Sequence, residues 1–448
     1  TLYKGNKKMK KIVLNIGILL CMSFMAKGQA VSLSLEEAIS IGLKNNFSIQ
    51  IANNDSKIAE NNNTLGNAGF LPSLSLNSGA KKSITSTNTE DMLGVKTESP
   101  NQQISNYNMG VSLDWTLFNG FGMFIKKERL GSLQMLQQTA TRATIENTVS
   151  EIVISYFAIV QLKNLLQVLQ NAIDFSNSRY ELTRKKLQIG STSELALLKS
   201  STDLNADSAA FLRQKVSLTN AKAKLKALLV LETTSDFDVS STIQFNQLLD
   251  YANLKEALFS SNSQINLAKQ SVDIALLDYR LTHAPKYPQV AFFTDYTYNH
   301  SKYNWGSTAI NQNSGPVFGL NLSIPVFDGF NKSRVSANAR IEAESNKLSY
   351  QQVMVNMESS LWQIYNEYRN DLKLVTLETA NLEVARHTAK ISFEKFRIGE
   401  MSDYELRQIQ LSELEAENSL LSAQFQAKKS ETELLRLSGK LIEDKKSE

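Results

Sequence analysis

Three histidines, His283, His300 and His387, are the residues best suited to ligate a transition metal or to move a proton near neutral pH. They are scattered and fall into none of the short spacings that gather zinc ligands. Asp236 and Asp238, in "TTSDFDVSS", could hold a cation from a loop, but a solvated linker explains them better. Gly120-x-Gly122 opens like a dinucleotide loop, yet Ile125 stands where the third glycine belongs. No Ser-His-Asp set and no catalytic carboxylate pair is suggested. Enzymatic chemistry, a cofactor and a metal are therefore not expected. What remains are small patterns written twice: Phe118-Asn119-Gly120-Phe121 with Phe327-Asp328-Gly329-Phe330, and Ile189-Gly190-Ser191 with Ile398-Gly399-Glu400.

Those patterns sit at the joints between long elements. All six prolines fall in two windows, roughly 70–117 and 285–327. Between Gly131 and Gly306 the only glycine is Gly190, and between Gly329 and Gly439 the only one is Gly399. Stretches so free of breakers, rich in Leu, Gln, Lys, Glu, Ala and Ser, predict helices over about 122–188 and 331–397, each about 100 Å long at ~1.5 Å per residue. Ile145, Val149, Ile152, Tyr156 and Ile159 recur in steps of three and four, a coiled-coil-like seam, and Val153, Phe157 and Val160 broaden it into a second stripe. In the proline windows the period is two. Tyr107, Met109, Val111, Leu113, Trp115 and Leu117 alternate with polar or small residues, as do Phe318, Leu320, Leu322, Ile324 and Val326. Four strands are visible, too few to close a barrel, so strands that cross a membrane must be pooled from several chains. Tyr107, Trp115, Tyr287, Tyr296 and Tyr298 are candidates for an interfacial aromatic belt.

The N-terminus carries a different message. Met9, Lys10 and Lys11 precede the apolar "IVLNIGILLCMSFMA", and "AKGQA" supplies small residues for cleavage, the pattern expected of a secretory signal peptide over 1–29 with an over-extended start at 1–8. The chain has 48 basic and 44 acidic residues. Loss of residues 1–28 removes six lysines and no acid, leaving 42 against 44 and a net charge of −2. Nucleic-acid binding loses its electrostatic support. The only cysteine, Cys21, leaves with the leader, so no disulfide is expected. No later run of apolar residues reaches the length of a transmembrane helix.

The two halves are copies. "LEEAISIGLKNNFSIQIA" matches "LKEALFSSNSQINLA", "LPSL" matches "YPQV", and Phe118 to Gly190 spans the same 72 residues as Phe327 to Gly399. A first repeat over 30–240 (strands about 70–117, helical arm about 118–232) is followed by a second over 241–448 (strands about 286–327, arm about 328–446). Each reads helix, strand, strand, long helix, turn, helix. Gly190 and Gly399 are predicted to end the long helices in a left-handed conformation, and Ser193 and Ser402 to cap the return helices.

With these features together, the chain resembles the TolC-type outer-membrane efflux family over nearly all of its mature length. The resemblance implies a mixed α+β membrane protein: a homotrimer whose twelve-stranded β-barrel, four strands per chain, lies in outer-membrane lipid and continues into a long periplasmic α-helical barrel. It implies a passive exit duct for an inner-membrane pump reached through a periplasmic adaptor protein. Phe118–Phe121 and Phe327–Phe330 become the sheet-to-helix turns. Ile189, Gly190, Ser191, Ile398, Gly399 and Glu400 become the adaptor-docking tips, with Ser191 and Glu400 standing where the family often has Leu. Glu405 matches one acid of the family's periplasmic gate. Gln408 replaces the second, and the latch pair falls on uncharged Ala196 and Met401. A protein-secretion duct of the same fold and a non-channel periplasmic coiled-coil protein are the alternatives.

Overall fold

A computed structural model describes residues 31–233, 236–240, 242–245 and 249–442. The expected signal peptide over 1–29 lies outside the described residues. In chain order the first half forms β1 (Val31–Leu33), α1 (Leu35–Asn45), α2 (Phe47–Asn62), α3 (Leu65–Ala68), β2 (Ser73–Glu90) and β3 (Lys96–Asn119), then α4 (Gly122–Gln188) and α5 (Glu194–Leu229). The second half forms β4 (Phe237–Val239), α6 (Tyr251–Ser261), α7 (Ser263–Leu281), β5 (Gln289–Tyr303) and β6 (Ile310–Ser323), then α8 (Asn331–Ile398) and α9 (Asp403–Leu437). The two long helices have 67 and 68 residues and stand where the breaker-free stretches place them.

Each half opens with two short helices where the sequence suggests one. Asn46 and Asn262 interrupt them with φ near −60° and ψ near 125°. Both asparagines are buried, and both donate from Nδ2 to a carbonyl 2.9 Å away at the end of a return helix, Asn46 to Leu228 and Asn262 to Leu437. A short polar side chain that serves the backbone competes with helix continuation, which is why the break falls there twice.

The chain divides into two compact units. The first comprises the described residues up to Gln50, Thr144–Asn262 and Met357 onward. Its core joins Leu33, Ala38 and Ile39 to Val149, Ile152, Val153, Tyr156, Ile159 and Val160 of α4, and to Leu225, Leu229, Phe237 and Val239. These include the apolar seam positions of α4. That helix contains one window long and apolar enough to cross a membrane by composition, and Val149, Ile152, Val153, Tyr156, Phe157, Ile159 and Val160 of the same helix are buried in this core. Parallel pairing of β1 with β4 ties the start of one repeat to the start of the other. Tyr156 fastens both strands: its hydroxyl donates to Leu33 O at 3.0 Å and accepts from Ser240 N at 3.3 Å. Asp236 and Asp238 each take a lysine, Lys222 at 3.0 Å and Lys163 at 2.7 Å. Those hydrogen-bonded ammoniums hold both carboxyls below the usual range, so the pair is used in ion pairs rather than in a cation site.

The second unit, Ile51–Ala143 with Ser263–Asn356, holds a four-stranded antiparallel sheet in the order β2-β3-β5-β6. The centre joins the second strand of one hairpin to the first strand of the other. β2 and β6 are left as edges. Both outer strands present unpaired backbone groups, an arrangement that soluble sheets normally protect.

Candidate functional site

The register of the sheet sorts its residues onto two faces of different character. On one face, successive rows read Trp115-Phe292-Leu320, Leu74-Leu113-Thr294-Phe318, Leu76-Val111-Tyr296-Pro316 and Ser78-Met109-Tyr298-Ser314. On the other, Asn77-Gly110-Thr297-Gly315, Ser75-Ser112-Asp295-Val317 and Ser73-Asp114-Phe293-Gly319 lie side by side. Leu74, Leu76, Val111, Phe318, Leu320 and Leu322 are exposed in the single chain, so the apolar face has no covering layer of its own. The glycines of the strands, Gly79, Gly110, Gly315 and Gly319, all belong to the polar face, where the Phe293 ring lies over Gly319.

Each repeat hands over from sheet to helix by the same device. Gly120 and Phe121 have φ of 66° and 65°, and Gly329 and Phe330 have 67° and 64°. Two successive left-handed residues turn the chain sharply, and only the first is glycine. The strain on phenylalanine is offset by packing, because Phe121 meets Phe118 edge to face at 5.1 Å and Phe330 meets Phe327 at 5.5 Å. The polar residue between them caps the long helix: Asn119 Oδ1 accepts from Met123 N at 3.0 Å, and Asp328 Oδ2 from Lys332 N at 2.8 Å. Gly120 is further constrained by space, since a Cβ there would sit 2.2 Å from Ala284 O, whereas a Cβ on Gly329 would meet only Asn331 Nδ2 at an ordinary 3.7 Å.

At the helical turns of the first unit, Gly190 (φ 72°) and Gly399 (φ 89°) end α4 and α8. Ser191 N donates to Lys186 O at 2.8 Å and Glu400 N to Lys395 O at 2.9 Å, closing both helices with the same wrap. Nothing lies within 4 Å of a Cβ built on either glycine, so backbone conformation alone selects it. Ser193 accepts from Ala196 N at 3.2 Å as the cap of α5. Ser402 caps α9 in a full capping box: it accepts from Glu405 N at 3.3 Å while Glu405 Oε2 accepts from Ser402 N at 2.9 Å. Those bonds from Ser402 hold the exposed Glu405 carboxyl below its ordinary range. Glu405 thus has a structural task that its "SDYE" setting announces. Ile189, Ile398, Leu195 and Tyr404 project outward around the two turns. A groove between the turns is lined by Ala196 and Met401 together with Lys186, Phe396 and Tyr404. Lys186 lies 4.1 Å from the Phe396 ring centre, and burial pulls its ammonium below the usual lysine range against the opposing pull of Asp403.

A cluster that no sequence motif singled out lies in the same unit. Arg179 of α4, fully buried, pairs with Asp203 of α5. Arg407 of α9 grips Asp207 with two bonds, Nη1 to Oδ2 at 2.8 Å and Nη2 to Oδ1 at 2.9 Å. Ser176 and the buried Gln410 complete the set, with Gln410 Nε2 donating to Ser176 Oγ at 2.7 Å and Gln410 Oε1 accepting from Arg407 at 3.0 Å. Asp403 Oδ1 approaches Arg179 Nε at 3.5 Å, close enough to attract but not aligned as a hydrogen bond. Three carboxylates therefore face two guanidiniums. Burial pushes the Asp403 carboxyl up, partly opposed by Arg179 and reinforced by Asp203. Its signal in the sequence is helical spacing: Ser176 and Arg179, Asp203 and Asp207, and Asp403, Arg407 and Gln410 each form a polar stripe inside an apolar seam.

The histidines remain apart, and no group able to hold a metal occurs among the described residues. His283 meets the Tyr279 ring at 5.0 Å, and His300 accepts from Gln312 at 2.8 Å through Nδ1.

The sequence matches the outer membrane efflux protein family over residues 38–230 and 254–440, the greater part of the chain and both of its halves. The chain belongs to that family. No curated protein sequence matches it. Among solved structures, the efflux-family chain superposes on the outer membrane channel CmeC of Campylobacter jejuni with a TM-score of 0.75 at 14% identity, covering 91% of this chain and 86% of that one. The outer membrane protein VceC of Vibrio cholerae gives 0.73 at 15%, over 90% and 96%. The open-state outer membrane channel MtrE of Neisseria gonorrhoeae gives 0.73 at 14%, over 91% and 89%. Identities this low speak for the fold alone, and the family match carries the rest. This efflux-family protein is an outer-membrane efflux protein, with a transport role rather than an enzymatic one.

Proposed function

We propose that three copies of this chain close their sheets edge to edge into a twelve-stranded barrel and form the exit duct of a tripartite efflux system. The observation that carries the reading is a four-stranded sheet with one apolar face, one polar face and two free edges. An open edge cannot persist in lipid, and pairing β6 of one copy with β2 of the next removes every edge at once. The apolar face then meets lipid and the polar, glycine-bearing face lines water. Conduction is passive: the lumen needs width and polarity, not a binding site.

The turns at Ile189, Gly190 and Ser191 and at Ile398, Gly399 and Glu400 are the proposed landing sites for the helical hairpins of a periplasmic adaptor, which links the duct to an inner-membrane pump. Exposed Ile189 and Ile398 beside capped helix ends support that assignment. Uncharged Ala196 and Met401 offer no ionic latch there, so we infer that the periplasmic gate leans on the Arg179–Asp203 and Arg407–Asp207 pairs, with Glu405 as a secondary acid. Purified protein in planar bilayers, with its mass measured by native methods, tests the duct. Trimers that conduct ions are expected; a monomeric, non-conducting species refutes it.

A further inference from the structure

The apolar face of the sheet ends abruptly on one side. Above the row Ala80-Tyr107-His300-Gln312 comes Lys82-Ser105-Lys302-Ile310. Lys82 and Lys302 both pair with Ser105, so they flank one residue on the same face, about 10 Å apart at ~4.8 Å per strand. Both are exposed. No carboxylate occurs in the six rows from Trp115 to this one, because Asp114 and Asp295 belong to the opposite face. Lys81 also points to that opposite face, in the row of Asn106 and Ser301.

The height of the lysine row follows from strand geometry. Trp115 to Ser105 is ten residues along β3, about 34 Å of strand at ~3.4 Å per residue, or about 26 Å of height at a tilt of ~40°. That matches an apolar belt ~25 Å tall between aromatic girdles. Trp115 marks one rim, and Tyr107, His300 and Tyr298 mark the other, with His300 6.0 Å from the Tyr107 ring and Gln312 bonded to His300 at 2.8 Å. All four strands join helices at the Trp115 end and turn back on themselves at the lysine end. With the helices in the periplasm, the lysine row lies at the headgroups of the outer leaflet. The strand row at the opposite rim, Phe118-Val290-Leu322, contains no lysine or arginine.

We propose that Lys82 and Lys302 form a docking site for the phosphate groups of a phosphorylated outer-leaflet lipid, seated with its acyl chains along Met109, Tyr298 and Val111. The proposal rests on the barrel reading, since it needs this face toward lipid. Two ammoniums on flexible stems flanking a small serine converge on one anionic headgroup, and three copies would present three such pairs around the rim. An aromatic row directly beneath fixes the depth.

The test uses full-length protein reconstituted in phosphatidylcholine nanodiscs doped with either diphosphoryl lipid A or its dephosphorylated counterpart, with retained lipid measured by mass spectrometry after detergent exchange. The phosphorylated lipid should be retained preferentially. Each lysine removed should cost about fivefold, so Lys82→Gln with Lys302→Gln should lower retention about 25-fold, while Lys81→Gln changes nothing. Equal retention of the two lipids, or an undiminished signal in the double variant of a trimer that inserts normally, overturns the proposal and leaves the barrel intact. A protein that fails to insert overturns both.

Discussion

Removal of Asp207 is the most informative perturbation of the helical part. Its carboxylate is 7% exposed and the Arg407 side chain 13%, and two bonds near 2.9 Å join them. Asp207→Ala leaves a desolvated guanidinium with Gln410 as its nearest remaining acceptor and Asp203 at 3.8 Å from Nε. Breaking a buried pair from one side costs about 3–5 kcal/mol. The damage should be local, because the cluster ties α4, α5 and α9 only near their turns. At ~1.4 kcal/mol per tenfold, amide exchange over 172–183 and 403–410 should accelerate about 10²- to 10⁴-fold if it proceeds through this opening. Hydrogen-exchange mass spectrometry of the reconstituted protein reads this directly. Asp207→Leu combined with Arg407→Met, which removes both charges, should recover most of the loss, since apolar replacements of buried pairs are often neutral or stabilising. If the single variant exchanges at the wild-type rate, the cluster holds nothing together and the gate reading falls with it. The same single variant should conduct more readily in bilayers at low voltage.

Other expectations are simpler. Asp403 has a raised pKa in the fold, so its charge is disfavoured there and the cost appears as pH climbs above its unfolded value of about 3.9. Asp403→Asn should therefore raise thermal stability at pH 7, with the gain fading as the pH falls toward 3.5; an equal gain at both pH values would contradict the sign. Gly120→Ala should cost well over the ~1–3 kcal/mol of left-handed strain because Ala284 O stands 2.2 Å from the new Cβ, while Gly329→Ala pays only the strain. Matching denaturation midpoints for the two would show that space at Gly120 is unimportant. Val111→Lys, near the middle of the apolar belt, places charge on that face at about 2–4 kcal/mol, and Leu113→Lys and Leu322→Lys, close to the Trp115 rim, at less, whereas Ser112→Lys on the other face should assemble normally. Membrane fractionation decides, and the reverse ranking would invert the faces.

The long helices were legible because 57 residues (Ser132–Gln188) and 68 residues (Asn331–Ile398) without Gly or Pro leave few alternatives, and the apolar ladders because one buried face writes a period of two. The strands proved longer than the ladders. β2 continues to Glu90 and β3 begins at Lys96, through Ser, Thr, Asn and Gln with no alternation, because beyond the apolar belt neither face excludes water and only backbone pairing holds the register. The Asn46 and Asn262 breaks were missed for a different reason: asparagine within a helical pattern reads as tolerated, and its partner carbonyls at Leu228 and Leu437 are remote in sequence. Glu405 shows how a position taken from a family pattern can hide a local one, since Ser402-x-x-Glu405 was readable as a capping box. The buried Arg–Asp cluster draws on three helices, and only its spacing within each was visible beforehand.

The join between β3 and β5 has a consequence for how such a molecule could have arisen. It sets the trailing strand of one hairpin against the leading strand of the next, antiparallel. Closing β6 onto β2 of a neighbour repeats that relation, so the seam inside one polypeptide and the seam between polypeptides are the same kind of junction. A single half could in principle meet its own copies by this rule, six around a ring instead of three. Fusing two halves would then have halved the number of pieces to be gathered while leaving the geometry of every junction alone.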